Sequence, residues 1–179
     1  LDAVMSRYDG DDFRTVLKGF KGGAPYIFAC HLIDLMIILL GKPERIHPFS
    51  RCTRPDGLLD NGLAVFEYPC GCTATVRTSV VEVEGFSRRN LTVCGERGTI
   101  VIQPLEITGD TSGGTLRMAL LEDSPPWKKG YQEVPLPPAR DRYEDQLLEF
   151  AQIVRGEITN PYSYEHEWAV QECLLEACG

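Results

Sequence analysis

Between the doublet Gly22-Gly23 and the breaker Gly41-Lys42-Pro43, residues 24–40 form one long apolar run whose strongly polar members are His31 and Asp34. Pro25 suits the first turn of a helix, where its missing N–H is not needed, and glycine with proline after Leu40 stops it. A helix apolar on nearly every face must be buried on several sides, so the rest of the chain has to wrap around it. Its most apolar part, residues 26–40, would span ~22 Å as a helix, short of the ~30 Å of a hydrocarbon core. The expectation is a buried central helix, with no membrane partner.

Beyond this helix the period changes. Residues 45–50, 63–68, 72–80, 90–94, 99–103, 116–121 and 131–134 are short β-rich runs separated by glycine and proline. Tyr68-Pro69-Cys70-Gly71-Cys72 and Cys94-Gly95-Glu96-Arg97-Gly98-Thr99 read as hairpin loops. Ser124-Pro125-Pro126 and Pro135-Leu136-Pro137-Pro138 read as loops at the sheet edge. Asp141 with Glu144 is a capping-box pattern, followed at helical spacing by Tyr143, Leu147, Phe150, Ala151 and Val154 up to the stop Arg155-Gly156. Ser163 caps a last helix over 164–177, with Trp168, Gln171, Cys173, Leu174 and Leu175 as its packing side. Residues 1–23 read as loop-rich, and their acidic run lacks the glycine and closing glutamate of a calcium loop. This order predicts an α+β domain, with helices packed on one face of a largely antiparallel open sheet.

At 179 residues and 43% hydrophobic content, one domain can bury a core without disulfide staples. A formal net charge of −8 with no basic cluster argues against a nucleic-acid partner. The seven cysteines are odd in number and no secretory signal opens the chain, which predicts reduced thiols in a cytoplasmic protein. Cys70-Gly71-Cys72 has no second knuckle to complete a zinc site, so free thiols in a hairpin are favoured. A thiol-held metal on Cys52, Cys70 and Cys72 is the outside alternative, and no metal site is expected. The first residue is Leu1, consistent with a fragment of a longer chain.

On a helical wheel His31 shares a face with Ile27, Asp34, Leu35 and Ile38. An imidazole and a carboxylate on so apolar a helix are costly unless paired, so the two are expected to meet or to share a neighbour. Such a pair suits proton transfer near neutral pH. The plainer alternative is a satisfied buried histidine with an aspartate on the helix surface.

The segment Gly22-Gly23-Ala24-Pro25-Tyr26-Ile27-Phe28-Ala29-Cys30-His31-Leu32-Ile33-Asp34, followed by Leu39-Leu40-Gly41-Lys42-Pro43, resembles the Gly-Gly…His-x-x-Asp…Leu-Gly-x-Pro stretch of the glucose-fructose oxidoreductase, inositol dehydrogenase and rhizopine-catabolism family (Gfo/Idh/MocA). Residues 61–80 resemble its paired strands, Leu91 to Ile100 its strand-Gly-x-x-Gly-Thr-strand element, and 146–156 and 163–177 its two closing helices. The resemblance implies a glyceraldehyde-3-phosphate dehydrogenase-like C-terminal domain that serves substrate binding and oligomerisation, with residues 1–179 as that single domain. It implies NAD or NADP in the full-length protein, held by a Rossmann half. No G-x-G-x-x-G follows a strand here, so no cofactor is expected on this chain, and alone it should be inactive.

By the same resemblance, His31 takes the catalytic histidine position and handles the proton of a sugar or polyol hydroxyl. Asp34 takes a substrate-binding position. Ile27 stands where the family carries an aspartate and Ala29 where it carries a glycine, which favours, as the alternative, a non-catalytic relative whose sheet is a subunit interface or ligand-binding module. Lys42 imitates the family's catalytic lysine only in its Lys-Pro context and reads as an exposed loop lysine. Leu63-Ala64-Val65-Phe66 and Val80-Val81 are apolar on both alternations, so a homo-oligomer through the sheet face is expected. Substrate choice is expected in the loops 8–20 and 104–115.

Overall fold

The computed structural model describes residues 1–105, 114–136, 141 and 143–179. In chain order the elements are β1 (Asp2–Ser6), α1 (Asp11–Leu17), α2 (Gly23–Leu40), β2 (Arg45–Arg51), β3 (Asn61–Glu67), β4 (Thr73–Ser79), a 3-10 turn (Gly85–Arg88), β5 (Asn90–Gly95), β6 (Gly98–Gln103), β7 (Thr115–Leu120), β8 (Gly130–Val134), α3 (Glu144–Val154) and α4 (Tyr164–Cys178). The strands make one eight-stranded sheet, ordered β2-β3-β4-β1-β5-β6-β7-β8. Neighbours are antiparallel except β1 and β4, which run parallel with Asp2 opposite Thr75 and Ser6 opposite Ser79. The architecture is thus the expected α+β one, a largely antiparallel open sheet with helices on one face.

Alternation decides what faces the helices. Ala3 and Met5 of β1, Ile46 of β2, Ala64 and Phe66 of β3, and Ala74 and Val76 of β4 are buried in one cluster with Phe28, Leu32, Ile33 and Met36 of α2 and Cys173, Leu174 and Ala177 of α4. Each fully buried Leu, Ile, Phe or Met side chain contributes about 1.5–3 kcal/mol relative to exposure. By length and composition α2 could cross a membrane, with 18 residues and a mean hydropathy of 1.9, yet half of that stretch is buried inside the fold. The glycine doublet permits its approach: Gly23 has φ +59°, and a Cβ there would stand 2.6 Å from the Leu59 carbonyl oxygen.

The N-terminal segment departs from its reading as loop. Residues 2–6 form the central strand β1, with Ala3 and Met5 in the core, and residues 11–17 form α1. The strand is only five residues long and its parallel partner lies some seventy residues on, so no local signal announces it. Asp11 and Asp12 stand in the first turn of α1, where the helix dipole favours them. Arg14 of α1 is wholly buried and gives two hydrogen bonds to Asp56, of 2.8 and 2.9 Å, and one of 2.9 Å to the fully buried Asp60. Asp60 also accepts from the Thr53 backbone N–H and hydroxyl. This network pins α1 to the β2–β3 connection.

The closing helices form where expected but present other faces. None of the α3 residues is buried: Leu147, Phe150 and Val154 are 66%, 63% and 70% exposed. Its apolar stripe therefore lacks a partner among the described residues. The capping box is replaced by a turn: Asp141 accepts the Tyr143 N–H at 2.9 Å, and the helix begins only at Glu144. In α4 the buried stripe runs through Cys173, Leu174, Ala177 and Cys178, whereas Trp168 and Leu175 are 66% and 56% exposed. The Ser163 cap is present, its side chain accepting the His166 N–H at 3.1 Å. Pro137 and Pro138 of the expected edge loop, and residues 106–113 of an expected specificity loop, lie outside the described residues.

Candidate functional site

A cavity of about 610 Å³ opens where α2, α3, α4 and the connection between the last two converge. From α2 it takes Cys30, His31 and Asp34, from α3 Gln146, Glu149, Phe150 and Ile153, from the connection Asn160 and Tyr162, and from α4 Tyr164, Glu167 and Val170. These positions follow from the helices: 30, 31 and 34 share the face of α2 that turns away from the sheet, while Leu32, Ile33 and Met36 on the other faces are fully enclosed. His31 is exposed at this cavity, so the reading as a satisfied buried histidine does not describe it.

The expected His31–Asp34 partnership is not formed. Asp34 Oδ1 instead lies 2.6 Å from Nε2 of His166, on α4. Its side chain is 42% exposed and that of His166 19%, so the pair sits at the cavity wall with the carboxylate reaching the opening. The His31 side chain makes no hydrogen bond with a described residue. A carboxylate already held by one imidazole keeps lone pairs for a ligand hydroxyl, and a neighbouring free imidazole can accept or donate a proton.

Tyr162 adds a second polar pair. Its hydroxyl donates to Glu149 Oε2 at 3.2 Å, and its N–H donates to Asn160 Oδ1 at 3.0 Å. The charge of Glu149 and this hydrogen bond push the phenol above its ordinary range, so it stays a neutral donor. Cys30 donates to the Ile27 carbonyl at 3.2 Å, and burial raises its thiol above the usual value. Among the described residues the lining holds three carboxylates, from Asp34, Glu149 and Glu167, and no lysine or arginine. Such a wall suits hydroxyl-rich, uncharged ligands and repels anions.

His166, Tyr162, Glu149, Asn160 and Gln146 escaped the sequence reading. His166 carried one usable signal, because it stands on the same helical stripe as Val170, Cys173 and Ala177. Of the other expectations, Ile27 is half-buried against the core and outside the cavity lining. Lys42 lies past the end of α2, paired with Glu172 at 2.6 Å in an exposed ion pair. Cys52 follows β2 at the Arg51–Asn61 end of the β2–β3 ladder, whereas Cys70 and Cys72 lie beyond the far end of β3. Those three thiols cannot share an ion, and no cluster of three metal-ligating side chains occurs among the described residues.

Comparison with known proteins places this geometry. Residues 2–101, which hold α2 and the strands from β1 into β6, match the sequence family described as GFO/IDH/MocA C-terminal domain. No curated protein sequence matches the chain. By structure the chain is similar to UDP-N-acetylglucosamine 3-dehydrogenase GnnA from Acidithiobacillus ferrooxidans, with a TM-score of 0.76 and 14% identity over 98% of this chain and 50% of that one. It is also similar to a candidate NADPH-dependent oxidoreductase from Desulfitobacterium hafniense, with a TM-score of 0.75 and 18% identity over 99% of this chain and 52% of that one. A candidate oxidoreductase from Thermotoga maritima gives a TM-score of 0.70 and 18% identity over 98% of this chain and 50% of that one. At such identities the likeness establishes the fold. The chain spans about half the length of each of these proteins.

Proposed function

The chain belongs to the GFO/IDH/MocA C-terminal domain family, and from that premise we propose that it is the substrate-side and self-association domain of an NAD(P)-dependent oxidoreductase acting on a sugar or polyol hydroxyl. The observation that carries this reading is the cavity wall, where His31, with no side-chain partner among the described residues, stands beside a carboxylate held by His166. His31 accepts the hydroxyl proton of the substrate. Asp34 and Tyr162 hold neighbouring hydroxyls, and the carboxylate-rich lining selects neutral polyols over phosphorylated ones. Seven free thiols fit a reducing, cytoplasmic setting.

The nicotinamide cofactor would supply the hydride-accepting ring, and among the described residues no glycine-rich strand-to-helix turn offers it a cradle. Gly95 and Gly98 close a hairpin between β5 and β6 rather than leading into a helix N-terminus, and the link from β1 to α1 holds a single glycine, Gly10. We assign the cofactor to a further domain of the full-length protein. The uncovered stripe of α3 supports such a domain packing beside the cavity. The chain by itself is therefore inactive.

Ile27 favours a second reading, a non-catalytic relative that binds the same ligands without turning them over, since an alkyl side chain neither accepts a proton nor orients a hydroxyl. The full-length protein, offered a panel of neutral sugars and polyols with NAD+ and NADP+, decides between them. Cofactor reduction with at least one neutral polyol supports the enzyme. Polyol binding without reduction supports the second reading, and absence of both removes the ligand site itself.

A further inference from the structure

The hairpin between β3 and β4 holds a second group of reactive side chains, and neither of its cysteines lines the cavity around His31. Pro69 presets the first central position of a turn in which the Gly71 N–H donates to the Tyr68 carbonyl at 2.9 Å. Gly71 follows at φ +84°, and the Tyr68 N–H then donates to the Cys72 carbonyl at 3.1 Å. This is a three-residue hairpin loop whose last member takes the left-handed conformation that glycine adopts without a steric cost. It sets Cys70 and Cys72 on either side of one glycine in a tight loop, both exposed and with no disulfide between them.

We propose that Cys70 and Cys72 form a thiol–disulfide exchange site that reacts with small disulfides and closes to an intramolecular disulfide across Gly71. The Cys70 thiolate attacks one sulfur of the small disulfide, whose S–S bond breaks. A mixed disulfide forms on Cys70 and one thiolate leaves, taking up a proton. Cys72 then loses its proton to solvent and attacks the Cys70 sulfur. The Cys70–Cys72 bond forms, and the second small thiolate departs and is protonated. Two electrons pass from the cysteine pair to the small disulfide, which is released as two thiols.

The order of events follows from the asymmetry of the pair. The Cys72 N–H and thiol lower the pKa of Cys70, while Cys70 raises that of Cys72. Cys70 is therefore the attacking sulfur and Cys72 the resolving one. A ring closed across a single residue is strained, so excess thiol reopens it and the modification is reversible.

The test exposes the folded chain to glutathione disulfide, quenches by alkylation and maps the cysteines by mass spectrometry. Cys52 and Cys94 serve as internal references, being exposed cysteines on other loops. We expect a Cys70–Cys72 disulfide to form about tenfold faster than either reference cysteine is glutathionylated. Cys72→Ser should stop the reaction at one glutathione on Cys70, and Cys70→Ser should slow capture at Cys72 to the rate of the references. Reaction no faster than at Cys52 and Cys94, or a wild-type product carrying separate glutathiones on Cys70 and Cys72, would overturn the proposal.

Discussion

Asp34 on α2 and His166 on α4, 132 residues apart in the chain, stand 2.6 Å apart and join the two helices. The contact gives the carboxylate a fixed orientation at the cavity and leaves His31, one turn earlier on α2, free of any described partner. The contact thus replaces the direct His31–Asp34 pairing considered for the helix face. On the proposed reading, Asp34 holds substrate hydroxyls and His31 moves a proton.

A positioning role for His166 shows up in binding. In the full-length protein, if it turns over a polyol as proposed, His166→Ala should raise KM by about three- to tenfold while kcat changes little, because a hydrogen bond to a charged group is lost equally from ground and transition states. Steady-state kinetics check this. An equal fall in kcat with KM unchanged would place His166 in the chemical step instead.

The cluster of buried Arg14 and Asp60 with the partly exposed Asp56 is a stability element. Arg14→Ala leaves the fully buried Asp60 without its countercharge and should cost about 3 kcal/mol in denaturant unfolding. Hydrogen bonds from Arg14 also hold the Asp56 carboxyl down at about 2, against an ordinary 3.8. Because the folded value is the lower one, the stabilisation is complete above pH 3.8 and fades as the pH falls toward 2. Acid unfolding of the wild-type chain should show this limb, and Arg14→Ala should flatten it.

Ser163 caps α4 directly beneath His166. Ser163→Ala should cost about 1 kcal/mol, a fall of roughly 2–4 °C in Tm read by calorimetry. Ser163→Asp, which restores an acceptor near the positive helix end, should recover most of it.

How much of this was legible in the sequence depended on range. α2 and α4 could be read because periodicity, Pro25, Gly41 and Ser163 are local signals, and the two hairpin loops because their glycines and Pro69 demand particular turns. β1 could not, since five residues with a distant parallel partner carry no local mark. The apolar stripe of α3 was legible as a helix but not as an uncovered one, because periodicity reports which side wants burial and not whether anything is there to cover it. In the cavity, His31 and Asp34 were visible as polar breaks in an apolar helix. The Asp34–His166 contact was not, because nothing in the spacing of α4 shows which helix it meets.

The open face of the sheet carries Phe49 and Leu63, 50% and 37% exposed and opposite each other in the β2–β3 ladder. If subunits pair through this face, light scattering should give a mass of at least two chains, and Leu63→Lys should return it to one. A wild-type protein that stays monomeric on concentration would contradict pairing.

The proton-handling role of His31 is tested most directly by His31→Ala in the full-length protein. Polyol-dependent NAD(P)+ reduction at saturating substrate should fall about tenfold or more, with the thermal transition unchanged. A rate equal to that of the wild type would contradict the role and leave the cavity as a binding site alone.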